Sequence, residues 1–186
     1  ALAAHPLAQH GHATVALCQM VLGAEAGAAL SAGALLRQAA LIEALPGPGL
    51  AQRLLVLPEA VVSALIGTPT PDPALAPALT PALTACVAAA HPQAGMLAEA
   101  LIRARSDPAA PILHLACADP AEAAAAGAGA AAGLGLHLAA LEPQLLGPGL
   151  DPARAAQLLN RDAVLTETAF LIPATPEGCL IADRLQ

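Results

Sequence analysis

The stretch PILHLACADPAEAAAAGAGAAAGLGLHLAAL, residues 111–141, decides how the rest of the chain is interpreted. Its first part predicts a short apolar strand over residues 112–117, Asp119 and Pro120 predict a turn, and the alanine- and glycine-rich part predicts a long helix. A strand that runs through a turn into a helix is where α/β proteins usually bind a phosphate or a dinucleotide. A site for such a ligand is therefore expected in this stretch.

The residues of a working phosphate-binding loop are missing from this stretch. Such a loop needs glycines whose backbone N–H groups surround the phosphates, a Lys for the terminal phosphates and a Ser or Thr hydroxyl for magnesium. Residues 118–127 have neither the glycine pair nor the hydroxyl, and the chain has no Lys, since all seven basic residues are Arg. Asp119 and Glu122 also place negative charge at the start of the helix, which repels a phosphate. Composition therefore excludes a working P-loop.

Residues 127–132, GAGAAA, formally match the dinucleotide fingerprint G-x-G-x-x-A. The match lies about ten residues past the end of the predicted strand, whereas the fingerprint follows its strand immediately. Small residues at this spacing also allow close packing of a helix, and that interpretation is favoured over a dinucleotide site.

The charge of the chain argues against a nucleic-acid partner. Charged residues make up 11% of the sequence, and the formal net charge is −7. Phosphate contacts need clustered Lys or Arg, and base stacking needs aromatic side chains. Phe170 is the only aromatic residue, so the expected partners are proteins or further copies of the chain.

The sequence has no feature typical of a secreted or membrane protein. The first residues lack the basic and apolar regions of a signal peptide, and residues 123–141, although uncharged, gain little transfer energy from Ala and Gly. The four cysteines are far apart, which predicts free buried thiols in a reducing compartment. A cytoplasmic location without a membrane partner is therefore expected, and no metal site is expected, since His10 and His12 have no third ligand nearby.

Residues 1–67 follow the element order of a winged-helix domain. The predicted order is helix, helix, β-hairpin and helix, over residues 14–22, 31–40, 40–45 with 52–57, and 58–66. Ser31 is the expected N-cap of the second helix, and Pro58 opens the last helix, whose inward residues are expected to include Leu65 and Ile66. The second helix and the wing carry only Arg37 and Arg53, which favours a protein-docking or structural role over DNA binding.

Residues 68–82 predict a proline-rich linker, and residues 83–186 predict a second unit. Helices are expected over residues 83–90, 93–105, from Pro120 onward and 153–165, and strands over residues 112–117, 136–141 and 168–173. Asp151 is the expected N-cap of the last of these helices. The order predicts a partial doubly wound parallel sheet, β-α-β-α-β, so the whole chain is predicted to be α/β.

Four stretches carry a resemblance to a known family. They are residues 14–17 (TVAL), 33–43 (GALLRQAALIE), 54–67 (LLVLPEAVVSALIG) and 72–75 (DPAL). They resemble the winged-helix core of large bacterial AAA+ ATPase proteins, including those found beside contractile injection systems. The residues from position 111 onward resemble the first strands of an ATPase module. The resemblance implies a P-loop-like second unit and ATP as the ligand of the family.

The departures from the family pattern imply a nucleotide site that has been lost. The family places its phosphate-binding glycines and Lys in the turn after Cys117, so Cys117, Asp119 and Gly127 stand at the positions of a degenerate site. The strand of residues 170–172 would end in an acidic pair for magnesium, and Pro173–Ala174 follows it instead. The resemblance therefore implies a non-catalytic first module, without a cofactor of its own, that serves protein–protein assembly.

Two other functions stay open. An enzyme could use a site built from His91, His114 and nearby carboxylates such as Asp119, although a single His on an apolar strand is more often a core residue. A small-molecule or cofactor binder could use the helix face of residues 127–135. The state of the crevice at the carboxyl ends of the strands distinguishes these functions. An open pocket on which His114 and Asp119 converge would favour the enzyme, and an open apolar pocket would favour the binder. A crevice filled by side chains would favour the assembly role.

Overall fold

The computed structural model describes residues 13–47, 49–81, 91–106, 113–117 and 119–185. The chain forms two compact units, Ala1–Thr68 and Pro69–Gln186. The described residues form eight α-helices and two small sheets, so the predicted α/β class is confirmed. The helix expected over residues 83–90 lies outside the described residues, as do His10 and His12.

The described part of the first unit contains four helices and one two-stranded antiparallel sheet. Its elements are α1 Val15–Leu22, α2 Glu25–Ala29, α3 Leu35–Gln38, β1 Glu43–Ala44, β2 Leu55–Val56 and α4 Glu59–Leu65. The hydroxyl of Thr14 accepts a hydrogen bond from the backbone N–H of Leu17 at 3.1 Å, which explains why α1 begins where the sequence predicts it.

The second helix of this unit differs from its prediction. α3 begins at Leu35, with Ala34 rather than Ser31 as N-cap and no side-chain cap. Ser31 lies in a turn after α2, where its N–H bonds the carbonyl of Ala28 at 3.2 Å. The predicted Ser31 cap is therefore wrong, because an additional short helix, α2, ends just before Ser31 and the next helix begins only at Leu35.

The hairpin and the helix after it are confirmed, with one change in burial. Glu43 pairs with Val56 in the β1–β2 sheet, and α4 follows Pro58 as expected. Ala60 and Val61 form the buried side of α4, whereas Leu65 and Ile66 are 74% and 71% exposed. The expectation that these two side chains face the core is wrong.

The described part of the second unit contains four helices and one three-stranded sheet. Its elements are β3 Leu79–Pro81, α5 Ala94–Ser106, α6 Pro120–Gly133, β4 His137–Leu141, α7 Pro152–Leu165, β5 Thr168–Leu171 and α8 Pro176–Ala182. Short 3-10 helices cover Ala76–Ala78 and Pro143–Leu145. The predicted cap of α7 is confirmed, since the Asp151 carboxylate accepts a hydrogen bond from the N–H of Arg154 at 2.9 Å.

The sheet has the order β3-β4-β5, with β4 and β5 parallel and β3 antiparallel to β4. Residues 113–117 form no regular structure, and four of them are exposed. The strand predicted over residues 112–117, and with it the β-α-β-α-β order, is therefore wrong over its described part. The third strand of the sheet comes from residues 79–81, which the sequence assigned to the linker. The pattern of a six-residue apolar run is not enough to determine which backbone structure the run adopts.

Candidate functional site

The structure keeps Cys117 and Asp119 together just before α6. The thiol of Cys117 is exposed, 3.6 Å from a carboxylate oxygen of Glu122. Asp119 is the N-cap of α6, and its carboxylate accepts a hydrogen bond from the N–H of Ala121 at 2.8 Å. An amide of the first turn, which a phosphate would need, thus already binds a carboxylate, and Glu122 adds a second negative charge there.

Gly127 lies apart from these two residues. It is eight positions beyond Asp119, or about 12 Å along the helix axis at about 1.5 Å per residue. Its backbone is buried, and a Cβ added to it would lie 3.3 Å from a methyl group of Leu138 in β4. The absence of a side chain thus lets α6 approach β4 closely, which supports the packing interpretation of the small-residue tract.

His114 does not converge with Asp119 on a pocket. Both side chains are exposed, and neither lines the cavity described below. Among the described residues, no three His, Cys, Asp or Glu side chains lie close enough together to hold a metal ion. Cys18, Cys117 and Cys179 are free thiols as expected, but the last two are exposed, so their predicted burial is wrong.

A shallow cavity of about 420 Å³, open to solvent and lined in part by exposed residues, lies in the second unit near the amino ends of the two parallel strands. Its walls include His137 and Leu138 at the start of β4 and Thr168 at the start of β5. Ligands of open α/β sheets bind outside the carboxyl ends of the strands, which is the opposite end. At the carboxyl end of β4, Leu141 is only 1% exposed and Pro143 is buried.

Three charged residues of the second unit, which the sequence did not single out, form buried ion pairs with one another. The guanidinium Nη2 of Arg161 lies 2.6 Å from Asp72 Oδ2 and 2.8 Å from Asp162 Oδ1. Asp162 Oδ1 also accepts from Arg161 Nε at 2.9 Å, and Asp162 Oδ2 accepts from the backbone N–H of Asp72 at 2.6 Å. We call Asp72, Arg161 and Asp162 the ion cluster.

The ion cluster is buried and contains two carboxyl groups and one guanidinium group. The side chains of Arg161 and Asp162 are fully buried, and that of Asp72 is 14% exposed. Burial raises the pKa of Asp162, although the N–H of Asp72 and the guanidinium of Arg161 oppose the rise. Burial alone would lower the pKa of Arg161, but its bonds to Asp72 and Asp162 raise it, so the guanidinium stays charged. The cluster joins α7 to the residues before β3.

The spacing of residues along α7 predicts a buried carboxylate at Asp162. One stripe of α7 is buried and contains Ala155, Leu158 and Leu159. Asp162 lies on the same stripe, because it follows Leu158 by four residues and Leu159 by three. A carboxylate on an apolar helix stripe needs a buried partner. The sequence does not indicate that the partner is Asp72, 90 positions away.

Comparison with protein-family models, curated proteins and solved structures finds no match to this chain. Within the described residues, no helix is both long and apolar enough to cross a membrane.

Proposed function

We propose that the chain is a non-catalytic, protein-assembling region of an AAA+ ATPase-like protein whose nucleotide site has been lost. The observation that carries the assembly role is the number of large apolar side chains exposed on the first unit. They are Met20, Val21, Leu22, Leu35, Leu45, Leu57, Val62, Leu65 and Ile66.

The last turn of α1 illustrates the point. Met20, Val21 and Leu22 follow one another, and consecutive helix residues point about 100° apart. All three are more than half exposed, and Leu22 reaches 72%. No rotation of the helix would bury all three side chains on its own unit, and exposed apolar side chains of this kind favour an interaction site.

The second support is that the chain lacks the groups that would bind a nucleic acid or a nucleotide. Arg37 and Arg53, the basic residues of the first unit, are both half-buried, so neither extends freely towards a phosphate backbone. The start of α6 carries two carboxylates in place of the Lys and hydroxyl that a nucleotide would need. Protein surfaces have no such requirement for positive charge.

Sedimentation velocity at protein concentrations from about 1 μM to about 1 mM tests the assembly role. This range detects dissociation constants of the same size, which correspond to binding free energies of about −8 to −4 kcal/mol. We expect concentration-dependent self-association that Leu22→Ser and Leu65→Ser weaken at least tenfold, about 1.4 kcal/mol. Leu180→Ser, at an exposed position of α8 in the second unit, is the matched control. A monomer over the whole range, or equal weakening by the control, would contradict assembly through the ends of α1 and α4.

The cavity near the amino ends of β4 and β5 favours a second candidate function, a small-molecule-binding α/β protein. Its volume of about 420 Å³ lies within the range of small-molecule sites, and its walls combine apolar side chains with Thr hydroxyls and an imidazole. His114 and Asp119 take no part in it, so this candidate differs from an enzyme built on those two residues.

A further inference from the structure

The two outer edges of the β3-β4-β5 sheet differ in what they offer to a further strand. The carbonyl of Ala78 accepts from the N–H of Glu142 at 2.8 Å, so Ala78 directs its carbonyl towards the β4 side. Hydrogen-bonded pairs alternate along an antiparallel ladder, which leaves Leu79 and Pro81 facing away from β4. The N–H of Leu79 already bonds the carbonyl of Ala76, and Pro81 has no N–H. On the outer side of β3, no N–H is therefore left for another strand.

The edge formed by β5 carries both donors and acceptors. The N–H of His137 bonds the carbonyl of Glu167 at 2.9 Å, which fixes the side of β5 that pairs with β4. Backbone groups alternate from side to side along a strand, so Ala169 bonds β4, whereas Thr168 and Phe170 direct their N–H and C=O groups away from it. Among the residues that the structure describes, none bonds these outward backbone groups.

β5 also lacks the features by which edge strands usually avoid pairing with other chains, which are charged side chains, prolines and bulges. Residues 168–171, TAFL, contain neither a charge nor a proline, and their register with β4 runs without a bulge. Thr and Phe are also residues that favour strands. An edge of this kind is a template for the addition of another strand.

A second copy of β5 matches this edge when it lies antiparallel to the first. With a two-fold axis at Ala169, Thr168 of one copy lies opposite Phe170 of the other, and each outward N–H meets an outward carbonyl. The two Ala169 residues then form a non-hydrogen-bonded pair, in which side chains approach closely and small ones fit. A β-branched residue opposite an aromatic one is a favourable cross-strand pair. Glu167 falls opposite Leu171 of the other copy, so no like charges oppose each other.

We propose that β5 is a self-pairing edge, through which two copies of the chain join their three-stranded sheets into one continuous sheet. The outward backbone groups of Thr168 and Phe170 form the hydrogen bonds between the copies, and Ala169 lies on the two-fold axis. This interface belongs to the second unit and uses neither the end of α1 nor the end of α4. It therefore stands independently of the assembly role proposed above.

Hydrogen exchange of the full chain, read by NMR at single amides, tests the pairing. Exchange is compared between a concentration at which sedimentation velocity shows a monomer and one of about 1 mM. We expect the amides of Thr168 and Phe170 to exchange rapidly in the monomer and at least about threefold more slowly at the higher concentration. The amide of Ala169, which bonds β4, is protected at both concentrations.

A charge on the two-fold axis tests the same pairing. Ala169→Lys would place two like charges opposite each other, so we expect it to remove the concentration dependence at Thr168 and Phe170. Ala182→Lys makes the same substitution at a half-buried position of α8 and is the matched control, which should keep the concentration dependence.

Three results would overturn the proposal. Rapid exchange of Thr168 and Phe170 at both concentrations would mean that the edge stays unpaired, even in a chain that self-associates through its first unit. Slow exchange already in the monomer would mean that the chain covers its own edge. Equal behaviour of the two Lys variants would mean that Ala169 does not lie on an axis between copies. Should Ala169→Lys fail to fold, the concentration series on the parent protein decides the matter, because it needs no variant.

Discussion

Arg161 is the residue whose replacement we expect to destabilise the second unit most. Arg161→Met keeps much of the side-chain volume but leaves the carboxylates of Asp72 and Asp162 without their cation. Breaking a buried pair by removing one partner costs about 3–5 kcal/mol. Urea unfolding should show a loss of this size, whereas Arg184→Met, at an exposed position, should stay within about 0.5 kcal/mol of the parent protein. Equal stabilities of the two variants would show that the ion cluster does not stabilise the unit.

Asp162 gives the unit a pH dependence of defined sign. Since burial raises its pKa in the folded state, the folded chain binds the proton at a higher pH than the unfolded chain. Its contribution to stability is therefore complete below the unfolded pKa and is lost as the pH rises through the folded pKa. We expect the difference in free energy of unfolding, parent protein minus Asp162→Asn, to increase as the pH is lowered from about 7 to about 4. A shift in the opposite direction would mean that the bonds from Arg161 and Asp72 outweigh the burial.

At the scale of the elements, the helix caps explain which predictions were correct. Asp151 and Thr14 each accept a hydrogen bond from a backbone N–H three residues on, and both helices begin where the sequence places them. Capping is a local interaction, so a single sequence contains the information for it. Hairpin pairing across residues 45–54 is nearly as local, and it was also predicted correctly.

The elements that were not predicted depend on distant contacts. Residues 79–81 form a strand because β4 lies beside them, although β4 is about 60 residues further along the chain. The apolar residues 113–117 have no such neighbour among the described strands and form none. For the same reason, the sequence indicated a helix around Arg161 and Asp162 but not their bonds to Asp72.

The start of α8 offers a test of how closely the elements pack. Gly178 is buried in the first turn, and its N–H bonds the hydroxyl of Thr175 at 3.1 Å. A Cβ at this position would overlap the carbonyl oxygen of Pro173, which belongs to the backbone and has little freedom to move. We expect Gly178→Ala to destabilise the unit by about 1–3 kcal/mol in urea unfolding. Gly133→Ala, at the end of α6 with open space around it, should be neutral or stabilising by up to about 1 kcal/mol. Equal stabilities of Gly178→Ala and Gly133→Ala would show that the backbone around position 178 has room for a methyl group.

At the scale of the whole molecule, assembly and nucleotide binding make different demands on the chain. The exposed apolar ends of α1 and α4 suit a protein surface, and they require no positive charge. The start of α6 carries Asp119 and Glu122, and no Lys is present anywhere in the sequence. The proposed function therefore places interaction on the first unit and leaves the second unit without the groups that bind ATP.

Isothermal titration of the chain with Mg·ATP tests the loss of the nucleotide site most directly, and it needs no tryptophan signal. We predict no heat of binding, because carboxylates occupy the helix start where the phosphates would bind. Binding tighter than about 100 μM, about 5 kcal/mol of free energy, would contradict this account, since it would show that backbone amides and arginine replace the missing lysine.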